Sequence, residues 1–318
     1  MFPACKNRSH STREFIEKRA ALFAKVRGFF AERSVVEVDC PILGRYASVD
    51  THIDLMQEES SGYFLHSSPE YGMKRLLAEG VGDCYQLSHV FRRGEEGLLH
   101  NPEFTMLEWY RLHVTLDQLI EETLSLLFSC LGKAPVRRFS YYDLFSHYLS
   151  LDSLTATQEQ IFACLEGLGL AEGWSVGEES EVLLEYLLSS HIEAQFPRDE
   201  FIVVHPFPPS KAALSCVGER GGEQVAFRFE IYFAGVELAN GYEELRDASE
   251  HRRRFARENQ KREELGKQQY PVDEYFLHAL EKGIPPCCGV SVGFDRLFQI
   301  LLKGDSLSEA IPFSWKEA

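Results

Sequence analysis

The most informative part of the chain reads His100-Asn101-Pro102-Glu103-Phe104-Thr105-Met106-Leu107-Glu108-Trp109-Tyr110-Arg111. It follows Phe91-Arg92-Arg93 across a short polar loop that contains two glycines. The β-prone runs 85–91 and 103–110 flank this loop, and the pattern predicts an antiparallel hairpin. Such a hairpin is suited to hold a phosphate at its arginine end and a small polar substrate along its second strand. An arginine on an exposed hairpin is, however, more often a solvated surface residue.

The composition is that of a globular protein, with 44% apolar and 26% charged residues among 318. No apolar run approaches the roughly 18 residues of a membrane helix. Residues 1–12 are polar, and we expect them to be a flexible N-terminus. They do not resemble a signal peptide, so we expect a cytoplasmic protein without a membrane partner. The eight cysteines form no CxxC pair and the 11 histidines show no zinc-ligand spacing, which favours reduced thiols. The net charge of −16 argues against a large polyanion as the main partner and favours a basic protein.

Two helix starts are visible in the first quarter of the chain. Residues 13–33 carry an amphipathic pattern, and a strand at 35–38 follows. Further on, Ser68 fits a helix N-cap, Pro69 the first helical position and Gly80 the end of that helix. Glu70, in the first turn, suits the helix dipole, which is a purely structural role.

Residues 230–244 predict a second hairpin, with a two-residue turn at Ala234-Gly235. That turn sets Tyr232 opposite Glu237 and places Glu230 on the same face. Two carboxylates on one face repel each other unless a basic neighbour or a divalent ion lies between them. Magnesium binds few carboxylates and completes its shell with water and nucleotide phosphates, so this face suits metal–ATP. Paired glutamates on hairpins are nevertheless most often solvated.

A third pattern, residues 289–297, predicts a glycine-rich strand that leads into a helix. Alternation places Gly289, Ser291 and Gly293 on one face, where they leave room for a ligand. Close packing against another backbone explains the glycines equally well.

The three patterns together resemble the signature motifs of class II aminoacyl-tRNA synthetases. Their form is that of the lysyl-tRNA synthetases and of their short paralogues, the elongation factor P lysine ligases. This resemblance extends over most of residues 13–315 and weakens in the middle. It implies an α+β fold, in which an antiparallel β-sheet is flanked by helices, and a single catalytic domain over residues 1–318. It also implies a homodimer, with the helix 13–33 and the strand after it at the interface.

The resemblance implies a role for individual residues. Arg92 and Arg296 would be catalytic. The nucleotide would bind at Arg92, Arg93, Gly94, Asn101, Glu237, Leu238, Gly293 and Arg296. The amino acid would lie among Ser68, Pro69, Glu70, Tyr110, Glu244 and Ser291. Magnesium would bind to Glu230 and Glu237. Because a carboxylate and a phenolic oxygen both accept hydrogen bonds from an ammonium, Tyr110 and Glu244 suit a lysine-like substrate.

The length separates the members of this family. Lysyl-tRNA synthetases carry an anticodon-binding barrel of about a hundred residues before the core, whereas the core helix here is expected from residue 13. The chain therefore resembles the elongation factor P lysine ligases, which use ATP and Mg²⁺ to activate lysine, preferentially (R)-β-lysine. Their acceptor is a lysine side chain of elongation factor P, and no tRNA is expected. The alternatives are a truncated synthetase that charges tRNA or another acceptor, and a non-catalytic synthetase-like regulatory protein.

One position departs from the family pattern. The second motif normally reads Phe-Arg-x-Glu, whereas Gly94 occupies the place of the glutamate here and Glu95 follows it. Either a small shift of the loop brings Glu95 into that place, since glycine is conformationally permissive, or nucleotide affinity is weakened. Ser291 is expected to line the pocket and to influence the choice between α- and β-lysine.

Overall fold

The computed structural model describes residues 12–318. The N-terminal segment expected to be flexible lies outside the described residues, apart from Thr12, which begins the first helix. The helices are α1 (Thr12–Ala31), α2 (Glu70–Ala78), α3 (Leu116–Leu131), α4 (Tyr141–Leu149), α5 (Gln158–Leu168), α6 (Ser180–Leu187), α7 (Ala248–Glu264), α8 (Glu274–Lys282) and α9 (Phe294–Leu302). Shorter helical turns occur at Leu188–Ile192, Glu193–Gln195, Pro209–Lys211 and Leu307–Glu309.

The strands follow the same chain order. They are β1 (Val36–Glu37), β2 (Leu43–Gly44), β3 (Met56–Gln57), β4 (Phe64–Leu65), β5 (Cys84–Phe91), β6 (Glu103–Leu112), β7 (Val136–Phe139), β8 (Phe201–Val204), β9 (Val217–Arg220), β10 (Glu223–Ala226), β11 (Arg228–Phe233), β12 (Val236–Glu243) and β13 (Cys287–Gly293). All three predicted motif regions have the expected secondary structure.

The contacts divide the chain into two compact units. The first comprises Met1–Lys133 and Gly241–Ala318, and the second comprises Ala134–Asn240. The division falls inside β12, whose residues 236–240 belong to the second unit and whose residues 241–243 belong to the first. The single catalytic domain stays a prediction.

In the first unit, the strand order is β1-β5-β6-β13. The pairs β5–β6 and β6–β13 are antiparallel, and β1 joins β5 in parallel. The predicted hairpin of residues 85–91 and 103–110 is thus confirmed, and its strands extend to residues 84 and 112. A separate small sheet has the antiparallel order β2-β4-β3.

Apolar residues at helical spacing fix α1 against this sheet. Phe15, Leu22, Val26 and Phe30 are all buried, as the 3.6-residue period of an amphipathic helix requires. The Phe30 ring stacks on Tyr85 of β5 at a centroid distance of 4.3 Å. Burial of aromatic rings of this size is a principal source of stability in such a core.

A buried ion pair also joins α1 to the start of α9. Arg19 Nη2 lies 2.6 Å from Asp295 Oδ1, and Arg19 Nη1 donates to the Ala310 carbonyl at 2.9 Å. The other Asp295 oxygen accepts the backbone N–H of Thr105 at 2.7 Å. These bonds satisfy a buried charge and fix the first turn of α9 beside β6.

The second unit has its own sheet and core. Strand β8 pairs antiparallel with β11 and parallel with β7, while β9 and β10 form a hairpin. Ala234 and Gly235, both at positive φ, form the predicted two-residue turn between β11 and β12. The core consists of apolar side chains that α4, α5 and α6 pack against this sheet, among them Leu144, Phe145, Leu183 and Leu187.

The α+β class is therefore confirmed, as a sheet flanked by helices. The parallel pairs β1–β5 and β7–β8 make it mixed rather than purely antiparallel. No described helix is both long and apolar enough to span a bilayer. Every cysteine in the described part of the chain is a free thiol, as predicted.

Candidate active site

The registers of β5, β6 and β13 place the predicted substrate residues on one face of the first unit's sheet. Glu108 of β6 is paired with Ser291 of β13, and Tyr110 is paired with Gly289. Directly paired residues project to the same side, so these four residues share a face. Glu108 also pairs with Gln86 of β5, whose side chain accepts the Cys40 N–H at 2.8 Å.

A short chain of hydrogen bonds connects the start of α2 to β6. The Ser68 hydroxyl donates to Glu108 Oε2 at 2.7 Å, and the Tyr110 hydroxyl donates to Glu108 Oε1 at 2.6 Å. Ser68 Oγ accepts the Glu70 N–H at 3.0 Å. The N-cap prediction was off by one residue, because Pro69 occupies the cap position and α2 begins at Glu70. Ser68 therefore forms hydrogen bonds with both Glu108 and the first turn of α2.

Gly289 allows two side chains to cross its backbone closely. A Cβ at this position would lie 2.3 Å from Tyr110 Cε1 and 2.4 Å from Glu244 Oε1, both far below van der Waals contact. The space beside Gly289 is therefore filled by protein side chains and not left open for a ligand. Ser291, two residues later, is half-buried and faces the sheet position of Glu108.

A buried lysine links the two glutamates that were predicted to bind amino groups. Lys74 of α2 has no exposed side-chain surface, and its Nζ lies 2.6 Å from Glu70 Oε1 and 2.5 Å from Glu244 Oε2. Neither the lysine nor Glu108 was predicted as a site residue. The signals were present, since Lys74 follows Glu70 by four residues on a helix and Glu108 precedes Tyr110 by two on a strand.

Burial shapes the charges of this pocket. It raises the pKa of Glu108 to about 7, an effect to which Glu70 adds and which Lys74 and the hydrogen bonds from Tyr110 and Ser68 oppose. It also raises the pKa of Glu244 to about 8, with Lys74 opposing the rise. Burial alone would lower the pKa of Lys74, but Glu244 and Glu70 outweigh it and the pKa is raised. The ammonium is thus charged, and it opposes the protonation of Glu108 and Glu244.

The arginine end of the hairpin forms a second polar group. The Arg92 guanidinium lies 5.1 Å from the Phe104 ring centre, and its Nη1 is 3.9 Å from Glu95 Oε2. Arg296 donates from Nη2 to His100 Nε2 at 2.9 Å. Burial and then Arg296 lower the pKa of His100, Glu95 opposes this effect, and Arg92 adds to it.

Arg92 presents a feature that suits an anion. Its Nε is buried and has no hydrogen-bond partner among residues 12–318. Buried donors of this kind are normally satisfied, and a phosphate oxygen satisfies guanidinium donors well. The chemistry of Arg92 with Arg296 therefore fits a nucleotide phosphate.

The other first-unit residues predicted to bind the nucleotide shape the backbone around the site or bond to it. Asn101 is buried; it donates to the Glu103 carbonyl at 2.6 Å and accepts the Trp315 N–H at 2.9 Å. Gly293 gives room to the Arg296 side chain, since a Cβ at this glycine would lie 3.3 Å from Arg296 Cδ. Gly94 lies at φ +79°, a conformation that turns the loop and favours glycine.

The loop that follows Arg92 is attached to a distant helix. The Arg93 N–H donates to the Asp54 carbonyl at 2.7 Å, while the Arg93 side chain is exposed. The buried guanidinium of Arg262, on α7, lies 2.8 Å from Asp54 Oδ1 and donates to the carbonyls of Asp50 and Ile53. The segment 50–54 thus connects α7 to the hairpin loop.

The predicted metal ligands belong to the second unit. Glu230 is buried, with its carboxylate bonded to Arg228 and to the Tyr232 hydroxyl, the latter at 2.6 Å. Glu237 is half-buried and contributes to raising the pKa of Glu230, after burial and against Arg228. The sequence pattern allowed for a basic residue or a divalent ion beside these carboxylates, and Arg228 is such a basic residue. Leu238 is buried beside Glu237 in β12.

The carboxylates of Glu230 and Glu237 are the kind of ligand that magnesium binds, although they are only two. Two carboxylates suffice when phosphates and water complete the octahedron. In the part of the chain that the structure describes, no group of three or more His, Cys, Asp or Glu side chains is arranged to bind a metal by itself. Any metal here would therefore depend on a nucleotide for its other ligands.

Comparison with known proteins identifies the family of this chain. Proteins named elongation factor P–(R)-β-lysine ligase from Erwinia tasmaniensis and Haemophilus ducreyi are each 41% identical to this chain. The matches cover 93% and 95% of this chain, and 94% of each relative. A ligase of that name from Photorhabdus laumondii is 40% identical over 95% of both chains. The family model described as tRNA synthetases class II (D, K and N) matches residues 3–317. The chain belongs to the class II tRNA synthetases, in the group of elongation factor P–(R)-β-lysine ligases.

Membership of this group confirms the resemblance, the fold class and the enzymatic nature of the chain as a ligase. Within this class II synthetase, Ser68, Glu70, Tyr110 and Glu244 lie in one hydrogen-bonded pocket of the first unit. Arg296 bonds His100, and Arg92 lies beside Phe104 and Glu95. The binding roles of these residues, and those of Glu230, Glu237 and Leu238 in the second unit, stay predictions.

Proposed function

We propose that this chain activates lysine, in its (R)-β form, with ATP and transfers it to a lysine side chain of elongation factor P. The relatives of some 40% identity carry that reaction in their names. The observation that carries the proposal is the pocket itself, in which three carboxylates and a tyrosine surround a buried face of the sheet. Such a pocket favours an ammonium-bearing substrate over an apolar one of similar size.

The first step joins the amino acid to the nucleotide. A carboxylate oxygen of lysine attacks the α-phosphorus of ATP, the bond to the β-phosphate bridging oxygen breaks, and pyrophosphate leaves. No side chain acts as a nucleophile. Arg92 and Arg296 stabilise negative charge on the phosphate, while Tyr110, Glu244 and Glu70 orient the amino acid through its ammonium groups.

The second step transfers the acyl group. The deprotonated side-chain amine of elongation factor P attacks the lysyl carbonyl carbon, the carbon–oxygen bond to AMP breaks, and the amine proton is released. The product is an amide. The net charge of −16 favours a basic protein partner and disfavours tRNA, and we propose that tRNA is not an acceptor.

We also propose that ATP binds with Mg²⁺ and that Glu230 and Glu237 hold the ion. Held by these two carboxylates, the ion would help to neutralise the charge that develops on pyrophosphate. A homodimer and a cytoplasmic location belong to the same proposal and are tested by sedimentation and by cell fractionation.

Intact-mass measurement of elongation factor P tests the proposal most directly. The acceptor is incubated with this chain, ATP and Mg²⁺, and with either lysine isomer. A gain of one lysyl unit, larger with (R)-β-lysine, supports the proposal. Exchange of pyrophosphate into ATP together with transfer to tRNA and none to elongation factor P would identify a tRNA-charging enzyme. An absence of adenylate with both isomers would indicate a regulatory protein.

A further inference from the structure

Lys74 is a buried charged residue that the proposed reaction does not use. It is fully enclosed, and it contacts both carboxylates that are proposed to bind the amino groups of the substrate. An isolated ammonium in such a position is strongly unfavourable, so its presence requires close anionic partners. Glu70 and Glu244 are those partners.

We propose that Lys74 is a positioning residue that orients the carboxyl groups of Glu70 and Glu244 and sets the pocket to accept a substrate with two ammonium groups. This inference rests on the proposed function. It goes beyond that function because it assigns the selection of a doubly charged substrate to a residue that does not need to touch the substrate.

The two oxygens of Glu244 have different neighbours. Lys74 contacts Oε1 of Glu70 and Oε2 of Glu244. The other oxygen of Glu244, Oε1, lies directly over Gly289 beside the Tyr110 ring. One oxygen is thus fixed by the internal lysine, and the opposite oxygen lies beside Tyr110 on the face of the sheet that carries Glu108.

The formal charges support a doubly charged ligand. Glu70, Glu108 and Glu244 contribute three negative charges when ionised, and Lys74 contributes one positive charge. The difference of two matches the two ammonium groups that lysine and β-lysine keep after their carboxylate has joined the nucleotide. Matching of this kind favours the correct ligand and disfavours uncharged analogues.

Other groups near Glu244 and Lys74 leave this balance unchanged. Tyr110 on β6 is buried, and burial with the surrounding carboxylates raises its pKa well above the ordinary value. His251 on α7 faces Lys74, but burial first and then Lys74 lower its pKa to about 3, so that it is neutral. Asp273, at the start of α8, is bonded to the N–H groups of Tyr275 and Phe276 and acts on Tyr71 beside Glu70.

Removal of the lysine therefore has a specific consequence. Burial already raises the pKa of Glu108 and Glu244, and Lys74 opposes this. Without it the pKa of both carboxyl groups rises further, so a smaller fraction of each is ionised and their attraction for an ammonium falls. As the pH rises, the carboxyl groups ionise and their attraction for the ammonium returns, until the substrate amines themselves lose protons.

The test compares Lys74→Met with the unmodified chain in lysine-dependent pyrophosphate exchange. At saturating ATP and pH 7.5 we expect the lysine KM to rise about tenfold or more, as for the loss of one partner of a buried ion pair. The ATP KM stays within about twofold, and the tenfold difference narrows between pH 7 and pH 9.

Arg111→Met is the matched control for this variant. Arg111 also contacts two carboxylates, Asp83 at 2.9 Å and Glu122 at 3.4 Å. It follows Tyr110 directly on β6 and therefore projects from the opposite face of the sheet. The loss of this cation leaves the lysine KM unchanged.

A double variant guards against simple misfolding. Lys74→Met combined with Glu244→Gln removes both charges of the pair, which proteins tolerate better than the loss of one. If Lys74 acts through Glu244, the double variant and Glu244→Gln alone have lysine KM values within about threefold of each other. Fully additive effects, or a Lys74→Met variant with the original lysine KM, would overturn the inference while leaving the proposed function intact. No exchange by the unmodified chain with either isomer would overturn both.

Discussion

The Tyr110 hydroxyl donates a 2.6 Å hydrogen bond to the buried carboxylate of Glu108, two residues earlier on the same strand. The phenolic oxygen keeps its lone pairs, so it remains able to accept a hydrogen bond from a substrate ammonium. The same bond helps to keep Glu108 ionised against the effect of burial. One hydroxyl therefore contributes to both the structure and the proposed selectivity of the pocket.

Tyr110→Phe removes this hydroxyl and leaves the ring in place. We expect the lysine KM to rise about tenfold and the free energy of unfolding to fall by about 1–2 kcal/mol, because a buried acceptor loses a donor. Pyrophosphate exchange and urea unfolding measure the two effects. Tyr275→Phe, on an exposed ring, is the control. An unchanged lysine KM in Tyr110→Phe would remove Tyr110 from the substrate site.

Gly289→Ala tests the close approach of Tyr110 and Glu244. The new methyl group overlaps the ring and the carboxylate, so both side chains must move. We expect a loss of about 2 kcal/mol or more in stability and a strong rise in lysine KM. Gly167→Ala, in α5, meets no atom within 4 Å and is expected to be neutral or slightly stabilising. Equal stability of the two variants in thermal unfolding would contradict the packing described.

Glu95→Gln tests whether this residue replaces the glutamate missing at position 94. Its carboxylate lies 3.9 Å from Arg92. We expect the ATP KM to rise about three- to tenfold with little change in the lysine KM, since a charged acceptor near the nucleotide is lost. The matched control is Glu96→Gln, because Glu96 pairs instead with Lys316 at 2.7 Å. An equal ATP KM in the two variants would show that Glu95 does not replace the glutamate missing at position 94.

His251 gives the chain a defined sensitivity to acid. Its pKa falls from 6.5 to about 3 in the folded state, mainly through burial and then through Lys74. Below pH 6.5 the unfolded chain binds a proton that the folded chain does not, so stability present above pH 6.5 is lost as the pH falls towards 3. Between pH 7.5 and 5 we expect a loss of about 2 kcal/mol from this group.

The measurement is urea unfolding of the unmodified chain and of His251→Gln at both pH values. Gln retains a donor for the Leu245 carbonyl, which the His251 ring bonds at 2.8 Å. The raised pKa values of Glu108 and Glu244 act in the opposite direction, because those groups bind protons more readily in the folded state. They are common to both proteins, so the difference between the two isolates His251. Parallel pH dependences would contradict its assignment as a buried neutral ring.

The sequence was sufficient for the elements whose pattern is local. Alternation and turn residues predicted the β5–β6 hairpin, the Ala234-Gly235 turn and the β13–α9 junction, and all are confirmed. The start of α2 was misplaced by one residue because serine and proline compete for the cap, and only the backbone angles separate them.

Local sequence patterns could not predict which buried side chains pair with each other. Lys74 and Glu244 are 170 positions apart, and no periodicity indicates that α2 lies against the end of β12. Arg228 was overlooked for a related reason, since its position two residues before Glu230 indicated a shared face but not which charge it would meet. Side-chain pairing of this kind depends on how elements pack, which a local pattern does not specify.

The attachment of the Arg93 backbone to Asp54, and of Asp54 to the buried Arg262, has a consequence for nucleotide binding. A mobile loop must lose conformational entropy when it closes on a ligand, and that loss weakens affinity. Here the segment 50–54 restrains the loop through bonds within the protein itself. A nucleotide phosphate bound at Arg92, as proposed, would meet a loop that is already held at Arg93, and would lose less affinity to ordering of the loop.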